Sequence, residues 1–517
     1  MFIPLALLAA LALLAWLADD ARGRGLMVNT LWLAAGSALI AVPCGTLLAV
    51  ALVRTQLHGR TALGLLLVSM IFLPLVVQVG AWQAGFGLQG WFTLRSGGDA
   101  WLDGMAGAIW VHGVAAIAWA AIIVAAGLWF VEPELEEDAL LDASTPQVLW
   151  NVTLRRAVGS VTAAAIWTAL IAGGEITVTD VFQVRTYAEE LFTQLAAQAD
   201  VDAAPLAVLP GALLLLLLMV AAVVVCGRLL PAEGLVVARR AKSWQPALRR
   251  RWLHLLTWLV IGVVVGVPLV NLLYKAGIVV DRIDGELVRS WSLGKAMDFV
   301  VAAPRRYPTE LAHSIWIASV AASLATVAAL QLAWQSCRGP WRRRGVLLLV
   351  AAGLAIPGPL VGLLVISTLN QPQLPALTYL YDQTVAAPLL AQTLRALPIA
   401  TLVLWFVLRL VPRELLEAAE TDGAGGQRQL WSIVVPERAA AVAAAWVIAF
   451  AIAFGELPAT YLTIPPGIVT LPVQIFNWIH YGVEDYVAGI VLALLGLYLA
   501  IGALIIYLQP PHSFTRR

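Results

Sequence analysis

Glu417, Ala418 and Ala419, followed by Gly423 and Pro436, form the most suggestive spacing in this sequence, and the chemistry it suggests is mechanical rather than catalytic. Arg413 to Glu420 are strong helix formers behind Pro412, with acids in the first turns facing the positive end of the helix dipole. Gly423 should end that helix, because glycine costs about 1 kcal/mol in a helix interior and enters left-handed conformations freely. Pro436 then suits the start of a new helix. The predicted product is a short helix, a sharp bend and a second helix, a knob shaped for a partner's groove. A second version lies 281 residues upstream. In the gap-free register Glu136, Glu137 and Asp138 stand at Glu417, Ala418 and Ala419, Asp142 at Gly423 and Arg155 at Pro436. A one-residue slip sets Glu137 on Glu417 and Ala143 on Gly423 instead, and in either register the first bend lacks its glycine.

The elements that must position these knobs are set by composition. The chain has 517 residues, 61% hydrophobic and 12% charged, with a mean hydropathy of +0.86. A soluble globule carries about 25% charge, so this is an integral membrane protein. Apolar runs such as 206 to 230 and 487 to 508 match the roughly 20 residues of a membrane helix rather than the shorter alternating strands of a barrel, which makes the fold all-α. Twelve spans are predicted, at about 1–18, 28–53, 62–82, 105–131, 158–175, 206–230, 253–274, 311–335, 345–368, 385–411, 439–457 and 487–508. The first lacks a basic flank and reads as a retained helix, with a cleaved signal as the alternative. With both termini cytoplasmic, most of the 32 basic residues fall on the inside, and the short outside loops hold only Arg22, Arg24, Arg95 and Arg185. The segment around 275–310 is an outside loop rich in basic residues.

Leu149-Trp150 recurs as Leu430-Trp431, and Gly174-Glu175 as Gly455-Glu456, at the same offset of 281. Leu73-Pro74-Leu75-Val76 resembles Pro359-Leu360-Val361 at a slightly different offset. Two parallel six-helix repeats follow: a first half at 1–230 with its charged loop at 132–157, a basic cytoplasmic linker at 231–252, and a second half at 253–517 with its loop at 412–437. One charged loop would most simply lie on the headgroups. Two, each after the fourth span of its half and before a fifth span ending in Gly-Glu, favour docking to a partner.

Glu175 and Glu456 end their spans 18 to 20 residues from the inner side, which at about 1.5 Å per residue sets them near the outer face. They are read as a candidate outer gate, with a hydrated helix end as the alternative. Arg395 is expected to snorkel outward and His112 to be a satisfied packing residue. Tryptophans such as Trp82, Trp91, Trp101 and Trp478 suit interfacial belts. Cys44, Cys226 and Cys337 have no ligand spacing. No catalytic or metal constellation and no cofactor motif stand out. Gly294-Lys295 is followed by Ala296 and has Arg289 where a phosphate-binding loop needs glycine, so ATP would be hydrolysed by another chain. A net charge of +1 without a basic face leaves no footprint for nucleic acid.

The segment Glu417-Ala418-Ala419, Gly423 and Val435-Pro436 resembles the EAA motif of ABC importer permeases. That resemblance implies a type I importer fold in a bacterial inner membrane, with coupling helices seated in two copies of an ATP-binding subunit. It also implies a periplasmic or lipid-anchored solute-binding protein as partner. The stretch Glu456 to Thr460, with Pro465-Pro466-Gly467 and Thr470-Leu471-Pro472, is similar to the fused, double-length ferric iron permeases, with thiamine, phosphonate and polyamine permeases as alternatives. A secondary transporter would need buried acids near the midplane, and a membrane enzyme a nucleophile or metal cluster.

Overall fold

A computed structural model describes residues 21–55, 57, 59–197, 251–283, 286–480, 487–496 and 500. The spans predicted at 1–18 and 206–230, most of the linker at 231–252 and both termini lie outside the described residues. In chain order the principal helices of the first half are α1 (Ala21–Arg54), α2 (Arg60–Ile71), α3 (Leu75–Phe86), α4 (Gly104–Leu128), α5 (Pro133–Asp142), α6 (Thr145–Val148), α7 (Val158–Gly174) and α8 (Thr177–Val181). A hairpin of β1 (Ile278–Ile283) and β2 (Glu286–Trp291) precedes α9 (Leu293–Arg306). Then come α10 (Pro308–Cys337), α11 (Pro340–Ala355), α12 (Gly358–Leu369), α13 (Ala386–Leu408), α14 (Arg413–Thr421), α15 (Gly426–Gln429), α16 (Ala439–Gly455) and α17 (Pro458–Thr463).

Among the described residues five helices are long and apolar enough to cross a membrane, and four bent pairs raise the number to as many as nine. Two of those pairs fall on the spans predicted at 62–82 and 345–368 and break each of them. The first is α2 and α3, bent by 103°, and the second α11 and α12, bent by 104°. Pro74 caps α3 and Pro357 caps α12, each with a φ near −60°. Proline has no N–H to donate and pushes the residue before it out of helical geometry, so the helix stops there. The break therefore pairs Pro74 with Pro357 rather than with Pro359. The all-α class carries one exception among the described residues: β1 and β2 form an antiparallel ribbon in the segment read as a long outside loop.

Close packing in lipid depends on small side chains. A Cβ added to Gly45 of α1 would sit 2.5 Å from the Ala120 Cβ of α4, and one added to Gly113 of α4 would sit 2.8 Å from Ile40 Cβ of α1. In the second half α10 and α13 meet through alanine, with Ala322, Ala325, Ala329, Ala396 and Ala400 in one core with Leu404 and Trp405. The two sequence halves are not separate packing units. Asn271, in the helix Val267–Gly277, donates to Ala81 O of α3 at 3.1 Å, and Trp91 donates to Asn271 Oδ1 at 3.1 Å. Leu471, Ile475, Val487 and Val491 likewise join the core built on α1, α3 and α4.

The Gly45 contact yields a direct expectation. Gly45→Leu should force α1 from α4 and lower the thermal unfolding temperature of the detergent-solubilised protein by several degrees, an overpacking cost of about 1–3 kcal/mol. Gly25→Leu, where a Cβ meets nothing within 4 Å, should leave it unchanged.

Candidate functional site

The two charged loops follow helix ends that meet, with the Phe130 and Phe406 rings 5.0 Å apart, and they repeat each other element by element. Counting from α6 and α15, each loop runs through a four-residue helix, a five-residue π-helical stretch (Leu149–Thr153 and Leu430–Val434), a three-residue turn and a 17-residue helix, α7 or α16. Every boundary in that succession is displaced by 281. Isolated π-helical stretches are rare, so their recurrence at one offset is informative. Upstream of it the displacement is 280, since Leu128 ends α4 where Leu408 ends α13. The structure thus takes the one-residue slip: Glu137 stands at Glu417, Ala143 at Gly423 and Asp142 at Asp422.

The two bends are built differently. Gly423 has φ 78°, its N–H donates to Glu420 O at 3.0 Å, and the Ala424 N–H reaches Ala419 O at 2.9 Å. This pair of bonds closes a helix through a left-handed residue. At the first bend Ala143 is extended, and Ser144 begins the next helix with a capping box to Gln147. Asp142 is the exposed last residue of α5 rather than a turn residue.

Burial separates residues that the sequence grouped. Glu136 is only 2% exposed. Its Oε1 lies 3.3 Å from Arg54 Nε and accepts from Thr153 Oγ1 at 2.7 Å, while Arg54 Nη2 donates to Leu128 O at 2.9 Å. Glu136 therefore anchors the first loop to the end of α1. Glu137, Glu417 and Ala418 are exposed, Ala419 is buried beneath α14, and Pro436 is exposed in the first turn of Val435–Glu437. The sequence reading missed the apolar side chains that stand out of both loops. Trp150 is 74% exposed and Trp431 44%, and Leu141 and Leu415 are exposed in the same loops. The repeated Leu-Trp pair was the available signal.

At the far ends of α7 and α16 the two glutamates meet one cavity. Glu175 and Glu456 line it together with Arg395, His112, Trp119 and Trp167. His112 lies eight residues, about 12 Å, inside the end of α4 remote from the loops, and Arg395 lies nine residues inside α13. The glutamates thus share a cavity with residues that lie well inside α4 and α13. Each carboxylate caps the short helix that follows. Glu456 accepts from Ala459 N at 2.9 Å, Thr460 N at 2.8 Å and Thr460 Oγ1 at 2.5 Å, at the start of α17. Glu175 accepts from Val178 N at 3.1 Å and from the Thr177 hydroxyl, at the start of α8.

Arg395 does not snorkel. Its Nη1 donates at 2.9 Å to Ile356 O, the carbonyl exposed by the break between α11 and α12, and its charge acts on Glu456 and more weakly on Glu175. Gln78 plays the same part at the first break, where Nε2 donates to Leu73 O at 3.3 Å. His112 is not a satisfied packing residue: it is buried, and neither ring nitrogen has a hydrogen-bond partner among the described residues.

Residues 321–510, which include α14 to α17, match the family of binding-protein-dependent transport system inner membrane components. That match supports an ABC importer permease. A comparison with curated proteins gives no match.

Two substitutions separate anchoring from docking in the first loop. Glu136→Gln leaves the Arg54 charge buried without its counter-ion and should cost about 3–5 kcal/mol, read as a lower thermal unfolding temperature. Glu137→Gln, at an exposed carboxylate, should lower that temperature far less. In an uptake assay Gly423→Asp, which puts a side chain on a left-handed residue, should reduce transport more than Asp142→Ala does.

Proposed function

We propose that this chain is the transmembrane permease subunit of a binding-protein-dependent ABC importer, in a double-length form that carries both halves of the translocation unit. Each half presents one coupling loop, so one chain engages two copies of an ATP-binding subunit. The observation that carries this reading is the recurrence of the whole loop succession at one offset, with the second copy inside the family match. Glu137, Glu417, Ala418, Ala419, Gly423 and Pro436 shape the docking knobs, and Glu136 with Asp142 completes the first. Trp150 and Trp431 add apolar anchors of the kind that dominates interface energy.

The mechanism follows from connectivity. Each loop turns into α7 or α16 through a bend of 67° or 87°, and each of those helices spans 17 residues, about 25 Å, to a cavity glutamate. Closure of an ATPase dimer would draw the two loops together and rock the helices as levers, opening the cavity toward a solute-binding protein on the opposite side. Glu175 and Glu456 form the gate at which the levers end. In this reading the loops face the cytoplasm, both termini lie on that side of a bacterial inner membrane, and the hairpin with α9 faces outward. Ferric iron is the cargo that the similarity of residues 456 to 472 names first, with thiamine, phosphonate and polyamine as alternatives.

The test is association. An affinity-tagged chain co-expressed with its ATP-binding subunit should retain that subunit through purification and display ATP hydrolysis. The paired change Trp150→Ala with Trp431→Ala should weaken the association at least about tenfold, with the unfolding temperature unchanged. Solute movement by the chain alone, in liposomes without an ATPase, would contradict the proposal.

A further inference from the structure

The cavity that joins the two halves carries more polar chemistry than the capping of α8 and α17 uses. Its acidic and basic lining residues besides His112 are Glu175, Glu456 and Arg395, so with both carboxylates ionised and His112 neutral it would hold one negative charge in excess. A net charge away from water is costly unless something compensates it. The two carboxylates are not equally compensated. Each carboxylate accepts hydrogen bonds from the helix it caps, but the charge of Arg395 acts on Glu456 more than on Glu175.

The same cavity has buried polar atoms with nothing to bind. His112 is 2% exposed and both its ring nitrogens lack a hydrogen-bond partner among the described residues, as does Trp167 Nε1. Buried polar groups ordinarily find partners, so three on one cavity of about 190 Å³ mark a place that a guest completes. Trp119 and Trp167 line it with ring centroids 5.2 Å apart, and the faces of such rings attract positive charge.

From this arrangement we infer that the cavity is a seat for a compact cationic solute, with Glu175 as its counter-charge, the two tryptophans as its wall and His112 as its hydrogen-bonding partner. The inference rests on the permease reading and narrows its cargo: cations fit, whereas a phosphonate would face two carboxylates. The cation could be a metal ion or a small organic ammonium. Among the described residues no group of three metal-ligating side chains is assembled, so a metal ion here would keep ligands of its own.

The test is equilibrium binding to the full-length chain in lipid nanodiscs with its ATP-binding subunit. The probes are radiolabelled tetramethylammonium, ferric ion buffered by nitrilotriacetate, and methylphosphonate. One of the two cations should bind and methylphosphonate should not, and which cation binds identifies the source. Glu175→Gln keeps an acceptor oxygen for the Val178 N–H, hence the cap, and should weaken cation binding at least about tenfold, the scale of a lost buried counter-charge. Glu175→Asp should retain most of the binding. Glu417→Gln should keep cation binding while losing ATPase association, which separates failure of the seat from failure of the coupling. Tighter binding of methylphosphonate than of either cation, absence of cation binding to the folded chain, or unchanged cation affinity in Glu175→Gln would overturn the inference.

Discussion

A backbone that stops being helical inside a bilayer leaves N–H and C=O groups that lipid cannot satisfy, and this constraint organises the interior of the molecule. The chain breaks its helices at Leu73-Pro74, Gly174-Glu175, Ile356-Pro357 and Gly455-Glu456, and at each of these places a side chain supplies the missing partner. Gln78 and Arg395 donate to the carbonyls left at the two proline breaks, and Glu175 and Glu456 accept from the N–H groups of the helices that follow. Residues from three of these breaks line one cavity together with Arg395, which repairs the fourth, so the cavity and its charges are consequences of satisfying the backbone. The side chains that repair the breaks are also the ones a solute would meet.

In the proposed mechanism the breaks give the loops something to move. A continuous helix from a loop to the opposite face would transmit displacement past the cavity, whereas α7 and α16 end at it. The two levers are anchored unequally at their loop ends. The first loop is tied down by a buried ion pair, Arg54 with Glu136, beneath α5. The second is shaped by Gly423 and by Trp334, whose indole donates to Gly426 O at 3.1 Å under a stacked Arg338 guanidinium. Both constructions leave the following Trp150 or Trp431 exposed at the same structural position, so unequal sequences present a similar outer surface.

Local signals made much of this legible in the sequence. Hydropathy gave the membrane class and the approximate places of α1, α4, α10 and α13, and Pro412 and Gly423 gave the bounds of α14. The repeated Leu-Trp and Gly-Glu pairs gave the offset that the element boundaries share. What stayed hidden depends on contacts distant in the chain. The slip of one residue between α5 and α6 is set by a capping box against a left-handed glycine, and both registers align acids with acids. Glu136 and Glu137 are neighbours of the same charge, and only the approach of Arg54 makes one an anchor and leaves the other outside. That Glu175 and Glu456 share one cavity with His112 and Arg395 was not legible, because residue counting along one helix says nothing of its neighbours. Arg395 looked like an outward anchor because no sequence pattern ties it to Ile356, 39 residues away. The hairpin at 278–291 was masked by the hydrophobic and charged character of the loop that contains it.

The claim at the centre of this account is that the two loops are levers drawn together by a nucleotide cycle. Spin labels on Glu137→Cys and Glu417→Cys, in a chain whose Cys44, Cys226 and Cys337 are replaced, would report the distance between the loops by pulsed electron resonance. The account expects that distance to shorten when the assembled complex is trapped with ATP and vanadate, and to lengthen again when nucleotide is removed. The same distance distribution in both states would contradict it.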